Sequence, residues 1–577
     1  MKDRAGADLA AVLCLVLAEL CWFGALPAAG LAGPALLAAA ACALVPRARA
    51  GALRLWARPR PETLLCLGLG LAYRATALVH PWGWVNRDGA YGAFVALHLV
   101  RGLRPAPVFT EGANYQGTLK GHLAALLHVL TRDEDYARLI ALTGVLLSLV
   151  FIAATMALAR RAGGRGAALA AGLYLALGPR FPTVLALNCV GQYADVLALG
   201  GLALSVLARL LEADAHGPTA RSAYFALGLL LGAAFWQQPV ALCYALAAAT
   251  ALLLRRRTWS DRWTLAVPLG ALVGALPVLI WNARNGWASG QIMGRDGGDL
   301  AAQAASLPDV IARTFAVSFP ILAGLSPGHP LADWWPARVL ATLVVPAAAV
   351  GGLAAGVHGL RRALREGRPA ASWLAPLTAV FCLVLFWAVA DGRVHWRPRY
   401  LLPVVAATAV HLGLAVDALY RRSRPLAAAL LLVVLALNVS GFLPRLPEAA
   451  EAQRHFQELV RGLDELGVRA GYADFALSAP VTMFTAERIL LSPRLGPTPA
   501  YTSEIQEAEV KRRGRPAYVL RPRDDVQGFT ALLQSLGVSY RFDARPVPTF
   551  HDLSRPVAIE EVLAAGSRGG DTEAFPE

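Results

Sequence analysis

Apolar stretches of roughly 18–22 residues recur along this chain, the length an α-helix needs to cross about 30 Å of hydrocarbon. Only helices and closed barrels can do so, because lipid offers no partner to an unpaired backbone N–H or C=O. Spans are predicted near 9–27, 29–46, 62–80, 138–160, 166–184, 189–211, 222–236, 239–254, 263–281, 337–359, 373–390, 400–420 and 424–443. Of 577 residues, 56% are hydrophobic and only 16% charged, a balance soluble enzymes seldom carry. The expected fold class is therefore mainly α: a polytopic transmembrane helical bundle of about 13 spans.

Arginine clusters orient that bundle. Arg47/Arg49/Arg54/Arg58/Arg60, Arg160/Arg161/Arg165, Arg255/Arg256/Arg257/Arg262, Arg361/Arg362/Arg365/Arg368 and Arg421/Arg422/Arg424 fall on one side when the spans are threaded in order. By the positive-inside rule that side is cytoplasmic. The same placement accounts for the net charge of +15 without a nucleic-acid partner, and the lipid bilayer is the partner expected instead. All seven cysteines lie in or at the ends of apolar spans, so no disulfide framework is indicated. Lys2 and Arg4 before an apolar run ending near Leu26-Pro27-Ala28 resemble a secretory signal, although Asp3 and Asp8 argue against one.

Three regions are expected: an N-terminal helical hairpin and cytoplasmic linker (1–61), a membrane domain (62–445) and an outer domain (446–577). The last is read as α/β, with a helix at 449–466, strands at 469–472, 488–491, 517–520 and 538–542, and a helix near 524–536. Its final ten or so residues have the composition of a disordered tail. In the outer loops, 89–101, 117–130 and 307–325 read as helices lying in the interface or on the bundle.

Two polar segments stand at the outer boundary: Asn86-Arg87-Asp88-Gly89-Ala90-Tyr91, and Asn114-Tyr115-Gln116-Gly117-Thr118-Leu119-Lys120. An acid held at a membrane boundary is costly to desolvate and marks function by default. With Gly191-Gln192-Tyr193-Ala194-Asp195 opening one span and Arg397-Pro398-Arg399-Tyr400 opening a late one, their order resembles the GT-C glycosyltransferases. The resemblance is to the branch holding protein O-mannosyltransferases and the aminoarabinose transferase of lipid A. It also touches Gly471-Tyr472-Ala473-Asp474-Phe475 in the outer domain.

The resemblance implies inverting transfer of a hexosyl or pentosyl group from a polyprenyl-phosphate carrier to an acceptor at the outer face, in a bacterial inner membrane. The acceptor class, protein, lipid or polysaccharide, stays open. Asp88 matches the family's base, the group that takes the acceptor's proton; the alternative is a helix cap. Relatives often have Asp-Glu where this chain has Asp88-Gly89, removing a second carboxylate. Asp195, and more weakly Glu111, are candidates to orient the acceptor or hold a divalent cation. Arg399, with Arg397, is the candidate for the departing phosphate, arginine offering a planar fork of donors. Lys120 and Arg180 are further cations for it; lysine is nearly absent from the membrane part, and relatives commonly carry an acid near position 120.

Tyr91, Tyr115, Gln116 and Tyr193 are sugar-binding candidates, against the alternative of an aromatic membrane belt. His98, His122 and His128 lack metal-ligand spacing. The rival functions are a transporter or flippase for lipid-linked glycans, expected to carry polar groups at mid-bilayer and internal repeats, and a non-catalytic binder of lipid-linked sugars.

Overall fold

The structure, a computed structural model, describes residues 60–85, 87–102, 107–110, 113–188, 192–212, 218–254, 262–290, 300–325, 329, 331, 334, 337–339, 371–389, 398–493, 495, 504–514, 516–521, 525–545, 547–557 and 561–562. The expected spans at 9–27, 29–46 and 337–359 and the C-terminal tail lie outside these, apart from residues 337–339. Among the described residues six helices are long and apolar enough to cross a membrane, or seven if one bent pair counts as a span.

Helix α1 (Pro61–Ala75) is followed by α2 (Arg87–Arg101), a two-stranded hairpin of β1 (Phe109–Thr110) and β2 (Ala113–Gly117), and α3 (Leu119–Thr131). Thus the expected outer helices at 89–101 and 117–130 both exist, the second starting after a strand. Then α4 runs from Tyr136 to Ala176, broken at Gly164, whose φ of 87° turns the chain between the two expected spans. The short α5 (Arg180–Leu187) leads to α6 (Tyr193–Glu212), α7 (Pro218–Gln237) and α8 (Leu242–Leu254). Helices α9 (Ala266–Gly274) and α10 (Leu276–Arg284) belong to the bent pair, at 54°. The stretch Ala305–Leu322, read from sequence as interfacial, is itself long and apolar enough to cross. It follows the start of α11 (Leu300–Arg313). The bundle closes with α12 (Leu374–Val389), α13 (Pro403–Arg422) and α14 (Arg424–Phe442).

Charge pairs gather at one end of the bundle. Glu62, at the start of α1, bonds Arg160 at 2.5 Å and Arg165 at 3.4 Å, beside the Gly164 break. Arg161 reaches Glu212 at the end of α6 (3.1 Å), and Asp417 near the end of α13 pairs with Arg421 (2.7 Å). These are the described arginines of two clusters used to orient the chain; Arg255–Arg257 and Arg361–Arg368 lie outside the described residues.

Small residues bring helices into backbone contact. Gly228 and Gly232 on α7 face Gly270 and Gly274 on α9, and a side-chain carbon on any of the four would overlap a carbonyl of the other helix: Val267, Ala271, Phe225 or Leu229. Four-residue spacing on both partners gives the close approach that replaces hydrophobic drive between helices in lipid.

Past α14, a 3-10 turn at Leu443–Arg445 leads into α15 (Leu446–Glu465). The C-terminal unit has β3 (Ala470–Ala473), α16 (Phe475–Phe484), β4 (Leu490–Ser492), α17 (Glu504–Arg513), β5 (Ala517–Val519), α18 (Val526–Ser535), β6 (Arg541–Asp543) and β7 (Thr549–His551). Its sheet has the order β4-β3-β5-β7-β6, with β3 parallel to β4 and β5, and β7 antiparallel to β5 and β6. Sequence reading missed α16, α17 and β7, and placed β6 three residues early.

This unit grips the segment after α1 on both sides of Asp88. The Trp82 ring packs on Phe484 at 4.0 Å, and its backbone N–H donates to Gln453 Oε1 (3.3 Å). Beyond Asp88, His98 on α2 meets Glu487 at 2.6 Å, and Arg101 donates to the Ala486 carbonyl (3.0 Å). Ala486 and Glu487 both hold positive φ, 47° and 66°, costly for non-glycine residues outside a constrained turn.

The glycine contact makes a direct test. Gly232→Val should cost about 1–3 kcal/mol through overpacking, while Gly68→Val, where a side chain meets open space, should be near neutral. Thermal unfolding in detergent reads both; equal melting temperatures would contradict the α7–α9 packing.

Candidate functional site

Helix α2 begins at Arg87, so Asp88 occupies its first turn. The side chain of Asp88 lies outside the described residues, as do Glu111 and Arg397. Tyr91, one turn further, is a packing residue, 3% exposed in a cluster with Trp82, Phe94, Leu97 and Met483.

The β1–β2 hairpin is pinned from several helices. Trp236 Nε1 donates to the Val108 carbonyl (2.9 Å), Ser289 Oγ to Asn114 O (2.5 Å), and Thr118 Oγ1 closes the base on Pro107 O (2.6 Å). At its end stands Gly117, where a side-chain carbon would come within 2.6 Å of Gln237 Oε1. Glycine there lets Gln237 reach under the strand and accept the Leu119 N–H at 3.1 Å.

One residue on, Lys120 is wholly buried. Its ammonium donates to Ala186 O at 2.6 Å and to Asn188 O. These carbonyls end α5, where helix geometry leaves acceptors without intrahelical partners and the dipole favours a cation. Lys120 thus caps a helix it does not belong to. The approach needs Gly144 on α4: a side-chain carbon there would overlap Ala186 O and sit 3.0 Å from Lys120 Nζ.

Asp195, in the first turn of α6, is also wholly buried, and among the described residues no side chain bonds either carboxylate oxygen. Lys120 is the cation acting on it. A buried carboxylate is tolerable only with such countercharge.

The aromatic candidates meet beside this pair. Tyr193 and Tyr400 have ring centroids 6.4 Å apart at 71°, and Arg399 lies over the Tyr400 ring at 5.5 Å. Tyr115 is a further electrostatic neighbour of Tyr193 and of Arg399, and the Gln238 amide lies within hydrogen-bonding reach of the Tyr193 side chain. Tyr115, Tyr193 and Arg399, all singled out from sequence, therefore assemble from three separate segments. Gln116, half a strand turn from Tyr115, is buried.

Arg180 stands apart, at the other end of α5 from the one Lys120 caps. Burial, then the like charge of Arg445, holds its guanidinium below the ordinary value, with Glu448 opposing. His122, on α3, is pushed down to about 4 by burial and is neutral near pH 7, its Nδ1 2.7 Å from Thr118 O.

Several site residues escaped the sequence reading. Arg74, buried in α1, caps α4 through Leu175 O (2.9 Å) and Ala176 O (2.8 Å) and lines a small cleft with Phe151, Pro182, Thr183, Ala194 and Leu197. Its signal was a lone arginine inside an apolar run. Gln237 and Gln238 announced themselves only as a polar turn. Among the described residues no three His, Cys, Asp or Glu side chains converge as a metal ion requires.

Comparison with known proteins bears on the whole arrangement. The family model described as dolichyl-phosphate-mannose-protein mannosyltransferase matches residues 120–281, from Lys120 through α10. No curated protein sequence matches. Among solved structures, ArnT from Cupriavidus metallidurans bound to undecaprenyl phosphate has a TM-score of 0.53 at 14% identity, covering 84% of this chain and 97% of that one. Its apo state gives 0.51 at the same identity and coverage. The Archaeoglobus fulgidus oligosaccharyltransferase in complex with Zn and sulfate gives 0.49 at 14% identity, over 84% of this chain and 72% of that one. The chain thus has the polytopic GT-C fold of membrane glycosyltransferases, similar to the protein O-mannosyltransferase and aminoarabinose transferase branch.

Proposed function

We propose that this protein is a membrane glycosyltransferase moving a sugar from a polyprenyl-phosphate carrier to an acceptor hydroxyl at the outer face of a bacterial inner membrane, with inversion. The observation that carries the reading is the convergence of Tyr115, Lys120, Tyr193, Asp195 and Arg399 at the bundle end away from the Glu62–Arg160 charge cluster. The carrier is proposed because ArnT, whose fold is similar, has been solved bound to undecaprenyl phosphate.

The Asp88 carboxylate takes the acceptor's hydroxyl proton as that oxygen attacks the anomeric carbon. A new carbon–oxygen bond forms on one face while the bond to the phosphate oxygen breaks on the other, and the electron pair leaves with the polyprenyl phosphate. Arg399 offers its fork of donors where that negative charge grows. Lys120 has two donors committed to carbonyls, so it supplies field rather than a free hand. Asp195, on which the Lys120 charge acts, orients groups near the acceptor. Outer-face sidedness is supported by Asp88 and the C-terminal unit lying at the same end of α1, which begins in the arginine-rich cluster.

Two outcomes follow. In a deletion strain whose envelope glycans are profiled by mass spectrometry, wild type should restore the missing glycan. Asp88→Asn, present in the membrane at normal amount, should be down about 10²–10⁴-fold, the worth of general base catalysis. Full restoration by Asp88→Asn would leave a binder or transporter as the better account. Separately, Lys120→Met should destabilise the purified protein by about 1–3 kcal/mol, since the Ala186 and Asn188 carbonyls lose their donor, and adding Asp195→Leu should recover part of it, since Lys120 is the cation acting on that acid. Additive losses in thermal unfolding would mean that the two charges do not act on each other.

A further inference from the structure

The turn joining α7 to α8 carries the sequence Gln237-Gln238-Pro239 through an otherwise apolar stretch. Proline at 239 has no N–H to continue α7, and it forces the residue before it out of the helical region; Gln238 is extended, with φ −164° and ψ 132°. Both glutamines are buried, at 0% and 2% exposure. The Leu119 N–H donates to Gln237 Oε1, which fixes that amide's orientation and leaves Nε2 as its spare end. Among the described residues that Nε2 has no hydrogen-bond partner, and neither has Gln238 Oε1. Buried polar atoms are nearly always bonded, so two adjacent ones held open mark a place where something else bonds them.

Their surroundings say what. Gln238 neighbours Tyr193, which in turn neighbours Tyr115, and Gln237 touches the backbone one residue from Lys120. The pair therefore borders the site proposed for transfer. It offers one neutral donor and one neutral acceptor beside phenol rings, the pattern that adjacent sugar hydroxyls satisfy, each of them both donor and acceptor. The acid of this region, Asp195, is under the influence of the Lys120 charge.

We infer that Gln237 and Gln238 read the donor's sugar, and that this sugar is a neutral, hydroxyl-bearing pyranose rather than an amino or uronic sugar. The assignment rests on the glycosyl-transfer reading. It adds a specificity element, on the α7–α8 turn, that takes no part in the proton or phosphate chemistry.

Dissociation constants in nanodiscs test it, using bare undecaprenyl phosphate and the same lipid carrying mannose, glucose, galactose or 4-amino-4-deoxyarabinose. Wild type should bind one of the three neutral donors at least about fivefold tighter than bare lipid, with no such gain for the amino sugar. Gln237→Leu and Gln238→Met should each remove most of that gain, about fivefold for one lost hydrogen bond, leaving bare-lipid binding within about twofold. Gln238→Met keeps the Leu119 contact intact, so it tests recognition even if Gln237→Leu fails to fold. Retention of the gain by Gln238→Met, equal loss of bare-lipid binding, no gain with any neutral sugar, or preference for the amino sugar would overturn the assignment. Failure of wild type to bind undecaprenyl phosphate at all would instead sink the transfer reading, and this assignment with it.

Discussion

One buried ammonium ties the site to the fold. Lys120 leaves α3, passes Gly144 of α4, caps the carbonyl end of α5 and places its charge on Asp195 in the first turn of α6. Three helices thus meet at a single nitrogen, and its charge acts on a fourth. In a dry interior a buried ammonium needs its acceptors in place, so the lysine and the carbonyls around it must be assembled together. The same constraint sets the register of the hairpin ahead of Lys120, and with it the positions of Tyr115 and Gln116.

Around that centre, two kinds of packing hold the outer end in shape. Within the bundle, the paired glycines of α7 and α9 allow backbone contact just below the Gln237-Gln238 turn. Above it, the C-terminal unit holds the loop bearing Asp88 through Trp82–Phe484 on one side and His98–Glu487 on the other. Glu487 reaches α2 from a turn with two consecutive positive-φ residues, a conformation kept only where contacts over-determine it. The C-terminal unit is therefore structurally continuous with the loop that would carry the base.

Much of this was legible in the sequence, because membrane insertion writes itself into composition. Apolar runs and arginine clusters follow from lipid and charge alone, and the motif residues Tyr115, Tyr193 and Arg399 stood out as polar groups at span ends. Lys120 was conspicuous as the one lysine between Lys2 and Lys511. Its role was not readable, since its partners are backbone carbonyls, which carry no side-chain signature. Tyr91 illustrates the converse: a tyrosine beside a functional acid resembles a sugar platform until packing shows it in a core. The helix at Phe475–Phe484 was missed although Asp474 caps it at 3.0 Å; a proline, Pro480, stands inside it. Gln237 and Gln238 were visible as an interruption, but which amide ends stay open depends on the Leu119 contact 118 positions away.

The central claim is that a lipid-linked phosphate meets the protein where Tyr115, Tyr193 and Arg399 converge. Photo-crosslinking with an undecaprenyl phosphate bearing a diazirine next to the phosphate, followed by peptide mapping, tests it most directly. Adducts should fall within 113–120, 192–200 and 398–401. Labelling instead concentrated around Glu62, Arg160 and Arg165, at the other end of the bundle, would contradict the account.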